Sequence, residues 1–176
     1  MNRRHLLLSA LTLAAIPLAA MPVAASADPL SVIPQVKKVG TGRLVVLMMP
    51  VFDATLYGPQ GRWHPDLPFA LKLDYLRDLQ GDGMARRVVS EMHGIGFRDE
   101  TRLTAWRGQM AAIFPDVHAG DSMTALRDGG GSTLFFRGNI QIGAIHDRGF
   151  TDQFFAICLG PQTSQPGLRK SLLGQA

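Results

Sequence analysis

The sequence predicts an α+β fold in which an antiparallel-rich sheet has helices packed on one face. Segments with strand-like patterns fall into two groups of three, and two segments with helical spacing separate these groups. A doubly wound fold would alternate strands and helices regularly, which this chain does not do. The chain is 46% hydrophobic, so it has enough apolar side chains for a packed core, and disorder is not predicted.

The first three predicted strands are residues 44–49, 51–57 and 69–75. The first two are apolar runs with β-branched members, and Pro50 between them predicts a bend or an edge position. Residues 58–61, Gly-Pro-Gln-Gly, predict a turn. Apolar and polar residues alternate along 69–75, which is typical of a half-buried strand.

Two helices are predicted in the middle of the chain, because apolar residues recur there at helical spacing. Both apolar sets are interpreted as core-facing stripes rather than as cofactor sites. The first set is Met84, Val88, Met92 and Ile95, and the second is Leu103, Trp106, Met110, Ile113 and Phe114. Gly94 and Gly96 end the first helix, and Pro115 ends the second.

Three further strands and a helix complete the predicted domain. The strands are residues 122–126, 132–137 and 140–145. Gly138-Asn139 between the last two predicts a tight hairpin, since both residues tolerate a positive φ. A helix over 150–159 follows with Asp147 or Thr151 as its N-cap, and residues 165–173 predict a short final helix.

Residues 1–27 predict an export signal, and residues 28–176 predict a single domain. Arg3 and Arg4 precede an apolar run over 6–20, and a small-x-small cleavage site ends at Ala27. The run is short for a membrane span, so we expect no stable span after cleavage; a retained N-terminal anchor is the alternative. The predicted location is periplasmic or secreted, by the general secretory or the twin-arginine route.

Charge and cysteine content exclude two classes of protein. Residues 1–27 hold two of the 18 basic residues and none of the 14 acidic ones, which leaves 16 against 14 and a net charge of +2. No segment concentrates basic residues, so nucleic acid is not a predicted partner. Cys158 is the only cysteine, so an internal disulfide is impossible, and its apolar neighbours indicate a buried, inert thiol.

The usual catalytic and cofactor motifs are missing from the sequence. There is no nucleophile elbow, no paired-histidine zinc motif and no phosphate loop, and the five histidines are scattered. Gly40-Thr41-Gly42 leads into a strand rather than a helix, so it does not predict a phosphate site. The sequence therefore predicts no metal and no cofactor.

The order of several short motifs resembles that of the chalcone-isomerase-like family, most closely its bacterial exported branch. The resemblance covers roughly residues 36–174. The motifs are Gly40-Thr41-Gly42-Arg43, residues 51–57, Phe114-Pro115-Asp116-Val117 with Gly120-Asp121, residues 138–145, and residues 150–160 with the segment around Leu172. The resemblance implies an open-faced β-sandwich: a large antiparallel sheet backed by helices, with a ligand cleft between them. Family members either cyclise chalcones or bind fatty acids without catalysis.

The residues at the family's catalytic positions decide between these two activities. The threonine, tyrosine and asparagine positions fall on Phe52, Met84 and Glu91, and a further hydroxyl position falls near Ile157. Phenylalanine, methionine and isoleucine side chains donate no hydrogen bond, so they cannot stabilise a developing oxyanion. Glu91 would place a negative charge beside an anionic substrate. Chalcone cyclisation is therefore not predicted.

Arg43 lies one residue beyond the arginine position of the family. A shift of one residue in a strand turns the side chain to the opposite face, so Arg43 reaches the cleft only if a bulge restores the register. The alternative is an arginine on the solvent-facing side of the sheet. In the cleft, its planar guanidinium could bind both oxygens of a carboxylate.

The sequence thus predicts an exported protein that binds a small apolar or amphipathic, fatty-acid-like ligand without chemistry. The predicted ligand-binding residues are Arg43, Phe52, Met84, Glu91 and Ile157, and no catalytic residue is predicted. One alternative is an isomerase or intramolecular lyase that acts on another substrate through Arg43 or Glu91. The other is an interaction module that docks onto a partner in the cell envelope.

Overall fold

A computed structural model of the protein describes residues 28–175, so the predicted export signal, residues 1–27, lies outside the described residues. Six strands and four helices follow one another along this part of the chain. They are β1 (Val36–Val46), β2 (Met49–Pro59), β3 (Phe69–Tyr75), α1 (Gly81–Gly94), α2 (Glu100–Ile113), β4 (Ser122–Arg127), β5 (Thr133–Arg137), β6 (Ile140–Ile145), α3 (Arg148–Leu159) and α4 (Pro166–Leu172).

The strands form one antiparallel sheet in the order β1-β2-β3-β4-β5-β6. Each strand therefore pairs with its neighbour in sequence, and the α1–α2 pair is inserted between β3 and β4 without interrupting the sheet. This arrangement confirms the predicted fold class, an α+β protein with a large antiparallel sheet backed by helices. Among the described residues, no helix combines the length and the apolar character needed to cross a bilayer.

The first hairpin differs from its prediction. Residues 44–49 do not form one strand, because β1 ends at Val46 and a two-residue turn at Leu47 and Met48 reverses the chain. Both turn residues have a positive φ, 48° and 65°, although neither is of a type that favours it. Pro50 pairs with Val45 within the hairpin, beside an irregularity in the β1–β2 register, and precedes Phe52, the first residue of β2 that pairs with β3.

The main core lies between the sheet and the helices. Residues of β2 and β3 such as Leu56 and Leu71 pack there against helix residues such as Met92, Trp106 and Phe150. The predicted apolar stripes of α1 and α2 contribute to this core, which confirms their interpretation as core faces. The helices therefore cover one face of the sheet.

The opposite face of the sheet is partly covered by the chain that precedes β1. Ile33 packs there against Ala70, Leu126 and Phe136. Beyond this patch the face is polar and carries the ion pair between Lys72 Nζ and Asp74 Oδ1, 2.8 Å apart. We call this side of the sheet the outer face.

Candidate functional site

Arg43 lies on the outer face. Its Nε is 2.6 Å from Asp53 Oδ1 and its Nη2 is 2.8 Å from Asp53 Oδ2, so the guanidinium holds both carboxylate oxygens. The two irregularities of the β1–β2 pairing lie on either side of Arg43, which itself pairs in regular register with Asp53. The hydrogen bond from Arg43 lowers the pKa of the Asp53 carboxyl. The arginine is thus engaged on the face opposite to Phe52.

Phe52 and Met84 lie close together on the helix-facing side. Both pack, partly buried, around Tyr75, Val117 and Met123. The Phe52 ring meets the Tyr75 ring edge-on, with 6.2 Å between the centroids. Burial raises the pKa of Tyr75, so its hydroxyl remains protonated, and this hydroxyl contacts Met123 Sδ at 3.8 Å.

Glu91 and Ile157 lie where α1 meets α3. Glu91 Oε1 is 2.5 Å from Arg87 Nη2, and Ser164 Oγ donates to Glu91 Oε2 at 2.8 Å. Burial, together with the nearby Glu91 carboxylate, raises the pKa of Cys158 to about 12, so the thiol is protonated at neutral pH. Ile157 packs against the main core. The structure therefore brings Phe52 and Met84 together, with Glu91 and Ile157 at the α1–α3 contact, and places Arg43 on the other face.

A cavity of about 300 Å³ lies between α3 and the sheet and has none of the five predicted residues in its wall. We call it the α3 cavity. Its apolar wall contains Trp63, Phe69, Phe155 and Leu159. Trp63 meets Phe69 edge-on at 6.0 Å between centroids, and Phe69 meets Phe155 at 4.6 Å. Such a wall favours the apolar part of a small molecule.

Arg127 brings a buried positive charge to the α3 cavity. It is the last residue of β4, pairs with Phe69 of β3 and Thr133 of β5, and is only 4% exposed. Its Nη1 is 3.2 Å from Asp152 Oδ1. Its Nε has no hydrogen-bond partner.

Trp63 has an unpaired donor in the same wall. Its Nε1 is buried and has no hydrogen-bond partner. Among residues 28–175, Trp63 Nε1 and Arg127 Nε are the two buried side-chain nitrogen or oxygen atoms without a partner. The large majority of buried side-chain polar atoms have a hydrogen-bond partner, so two unpaired donors on side chains that line one cavity favour a ligand that carries an acceptor.

Four alternating charges continue from Arg127 to the surface. Asp152 Oδ2 is 3.8 Å from Arg148 Nε, and Arg148 Nη2 is 3.2 Å from Asp66 Oδ1. Two arginines thus face two aspartates, and their formal charges cancel. Asp66 and Asp152 both lie in the cavity wall.

A second, more open depression of about 440 Å³ lies beside β4 and β6. Its arginine, Arg137, is paired with Asp121 at 2.9 Å. Neither of the two unpaired donors lies in its wall. We therefore take the α3 cavity as the candidate ligand site.

Sequence reasoning missed both residues that carry the unpaired donors of this site. Arg127 directly follows the predicted strand 122–126, where an arginine is usually exposed, so its burial beneath α3 had no signal in the sequence. Trp63 lies between β2 and β3, where the sequence predicts a turn but no partner for an indole.

The six-stranded antiparallel sheet backed by four helices is the architecture of the chalcone-isomerase-like fold. Among solved structures, the chain is similar to a fatty-acid binding protein of Arabidopsis thaliana, with a TM-score of 0.61 over 83% of this chain and 90% of that one. The two sequences are 12% identical, so the likeness concerns the fold. No family model and no curated protein sequence matches the chain. The assignment to a bacterial exported branch remains a prediction.

Proposed function

We propose that this protein binds a small apolar or amphipathic, fatty-acid-like molecule between its sheet and its helices, without chemistry. The α3 cavity, with an aromatic wall and two unpaired buried donors, is the observation that carries the proposal. The solved structure with the same fold is named as a fatty-acid binding protein, which supports a ligand of this class.

The side chains around the cavity support binding rather than catalysis. Asp66 and Asp152 are ion-paired, and the Thr151 hydroxyl is 2.8 Å from the Thr133 hydroxyl. A general base needs a free carboxylate or imidazole within reach of the substrate, and both aspartates already hold arginines. Phe52, Met84 and Ile157 offer no polar group in their stead.

The test is a calorimetric titration of the purified protein with two nine-carbon ligands, nonanoate and the ketone 2-nonanone, and the proposal requires that at least one of them binds. We expect binding, and we expect Ala156→Phe, which fills the α3 cavity, to weaken it at least tenfold. Met84→Phe is the matched control, because it adds the same ring beside the sequence-predicted residues. If only Met84→Phe weakened binding, the ligand would bind near Phe52, Met84 and Ile157 instead of in the α3 cavity. Failure of both ligands to bind to the unmodified protein would refute the proposal.

We also propose that the protein acts outside the cytoplasm, in the periplasm or in the medium. The export-like pattern of residues 1–27 supports this location. Fractionation of cells that produce the full chain, followed by N-terminal sequencing, tests it. We expect an exported product that begins at Asp28, whereas a cytoplasmic product that retains Met1 would contradict the proposal.

A further inference from the structure

We propose that the α3 cavity recognises an uncharged carbonyl head group, as in a ketone, ester or amide, rather than a carboxylate. This inference rests on the proposed function, because it names the polar end of the ligand that the cavity would hold. The two unpaired donors and the balanced charges around them carry the inference.

One acceptor with two lone pairs would satisfy both donors. Trp63 Nε1–H and Arg127 Nε–H are both buried in the cavity wall, and both side chains adjoin Phe69. A carbonyl oxygen has two lone pairs and can accept from two donors at once. A buried donor that is left unpaired lowers stability, so an oxygen that satisfies both donors gains more than a single hydrogen bond would give.

The local charges disfavour a carboxylate head group. Arg127 is already neutralised by Asp152, and Arg148 by Asp66. A carboxylate would bring a third anion to two cations and would have to lose its hydration. An uncharged carbonyl loses far less hydration and meets no repulsion from either aspartate.

The test compares two ligands of nine carbons each, 2-nonanone and nonanoate, which differ in their head group. Both are titrated at pH 7.5. Because the ketone is also the more apolar ligand, the comparison uses variants. Trp63→Phe keeps an aromatic ring and removes its N–H, and Arg127→Lys keeps the charge and removes Nε. We expect Trp63→Phe to lower the affinity for 2-nonanone about fivefold, as for one lost hydrogen bond. The affinity for nonanoate should change by less than about twofold. We expect Asp152→Asn to raise the affinity for nonanoate at least tenfold, because the substitution removes a negative charge that repels the carboxylate.

Infrared spectroscopy of 2-nonanone labelled with ¹³C at the carbonyl measures the carbonyl stretching frequency. This frequency reports hydrogen bonding to the oxygen rather than the apolar character of the ligand. We expect the carbonyl stretch of the bound ketone to lie below its value in hexane, and to return toward that value in Trp63→Phe. Thermal unfolding verifies that each variant is folded, and Trp63→Phe decides alone if Arg127→Lys does not fold.

Three results would overturn the inference. Nonanoate binding tighter than 2-nonanone to the unmodified protein would leave the proposed function intact and refute the carbonyl head group. Ketone binding that neither variant weakens, with an unshifted carbonyl stretch, would mean that the two donors bond only to water. Failure of both ligands to bind would refute the proposed function together with the inference.

Discussion

The Asp147 carboxylate joins two helices. It caps α3 by accepting from the backbone N–H groups of Gly149 at 2.8 Å and Phe150 at 3.2 Å. It also accepts from Arg102 Nη2 and Trp106 Nε1 of α2, each at 2.9 Å. Removing this single group therefore leaves unpaired donors on both helices.

We expect Asp147→Ala to lower the free energy of unfolding by about 2–3 kcal/mol. The substitution removes the N-cap of α3 and leaves the indole N–H of Trp106 without a partner. Asp99→Ala is the matched control, because Asp99 caps α2 through one hydrogen bond, to Arg102 N at 3.0 Å. The control should cost about 1 kcal/mol or less. Urea unfolding of both variants measures the difference, and equal losses would contradict the role of Asp147 between the helices.

The same carboxylate should make stability depend on pH. Burial raises the pKa of Asp147, but the hydrogen bonds from Trp106, Phe150 N–H and Arg102 outweigh burial and hold the pKa below its ordinary value. A carboxyl with a lowered folded-state pKa stabilises the protein above its unfolded pKa, about 3.9, and loses this effect as the pH falls through the folded value. We expect the stability gap between the unmodified protein and Asp147→Asn to be constant above pH 5 and to shrink below pH 4. Urea midpoints from pH 3 to pH 7 test this, and a gap that widens toward acid would exclude it.

Residue roles were predictable where they depend on local sequence. Asp147 was predicted as a cap because it precedes a helical segment, whereas its contacts with Arg102 and Trp106 bridge more than 40 positions. Likewise, the burial of Arg127 depends on α3, which the chain adds after β4. None of the five ligand-binding residues predicted by resemblance lies in the wall of the α3 cavity. Their role in binding remains a prediction.

At the level of elements, the contact between β1 and α4 depends on two glycines. A side-chain carbon at Gly40 would lie 2.2 Å from the Ser171 carbonyl oxygen, and one at Gly42 would lie 2.8 Å from Leu168 Cδ1. The sequence indicated only that Gly40-Thr41-Gly42 is structural. The close approach of a helix 130 positions later explains why both residues lack a side chain.

We expect Gly40→Ala to destabilise the protein by about 2–3 kcal/mol and to loosen α4, because the obstacle is backbone rather than a movable side chain. Gly108→Ala is the matched control: Gly108 lies in α2 with open space around it, so alanine there should stabilise by about 1 kcal/mol. Denaturant unfolding measures both changes. Hydrogen exchange over 166–172 should rise in Gly40→Ala only, and unchanged exchange there would show that β1 tolerates the methyl group.

The two tight hairpins show which turns a sequence can reveal. Gly138 adopts a φ of 56° as its residue type allows, and the hairpin predicted at Gly138-Asn139 is confirmed, although Asn139 keeps a negative φ. Leu47 and Met48 adopt positive φ values with side chains that do not favour them, and both are almost fully exposed. Register in the sheet fixes that turn, so local residue preferences could not predict it.

For the whole molecule, different parts of the chain cover one face of the sheet and part of the other. The helices cover one face, and residues before β1 cover part of the outer face through Ile33, which is 2% exposed. The order of strands and helices was enough to predict the first layer. The second was not predicted, because the residues between Asp28 and β1 have neither helical nor strand periodicity.

We expect Ile33→Ala to lower the free energy of unfolding by about 2–4 kcal/mol, because it opens a cavity among Ala70, Leu126 and Phe136 on the outer face. The neighbouring Val32→Ala is the matched control, since Val32 is 53% exposed and its truncation should change stability by less than about 0.5 kcal/mol. Urea unfolding compares the two variants with the unmodified protein. A loss below 1 kcal/mol for Ile33→Ala would mean that the segment before β1 does not stabilise the sheet, and the outer face would then be solvent-exposed in the native state.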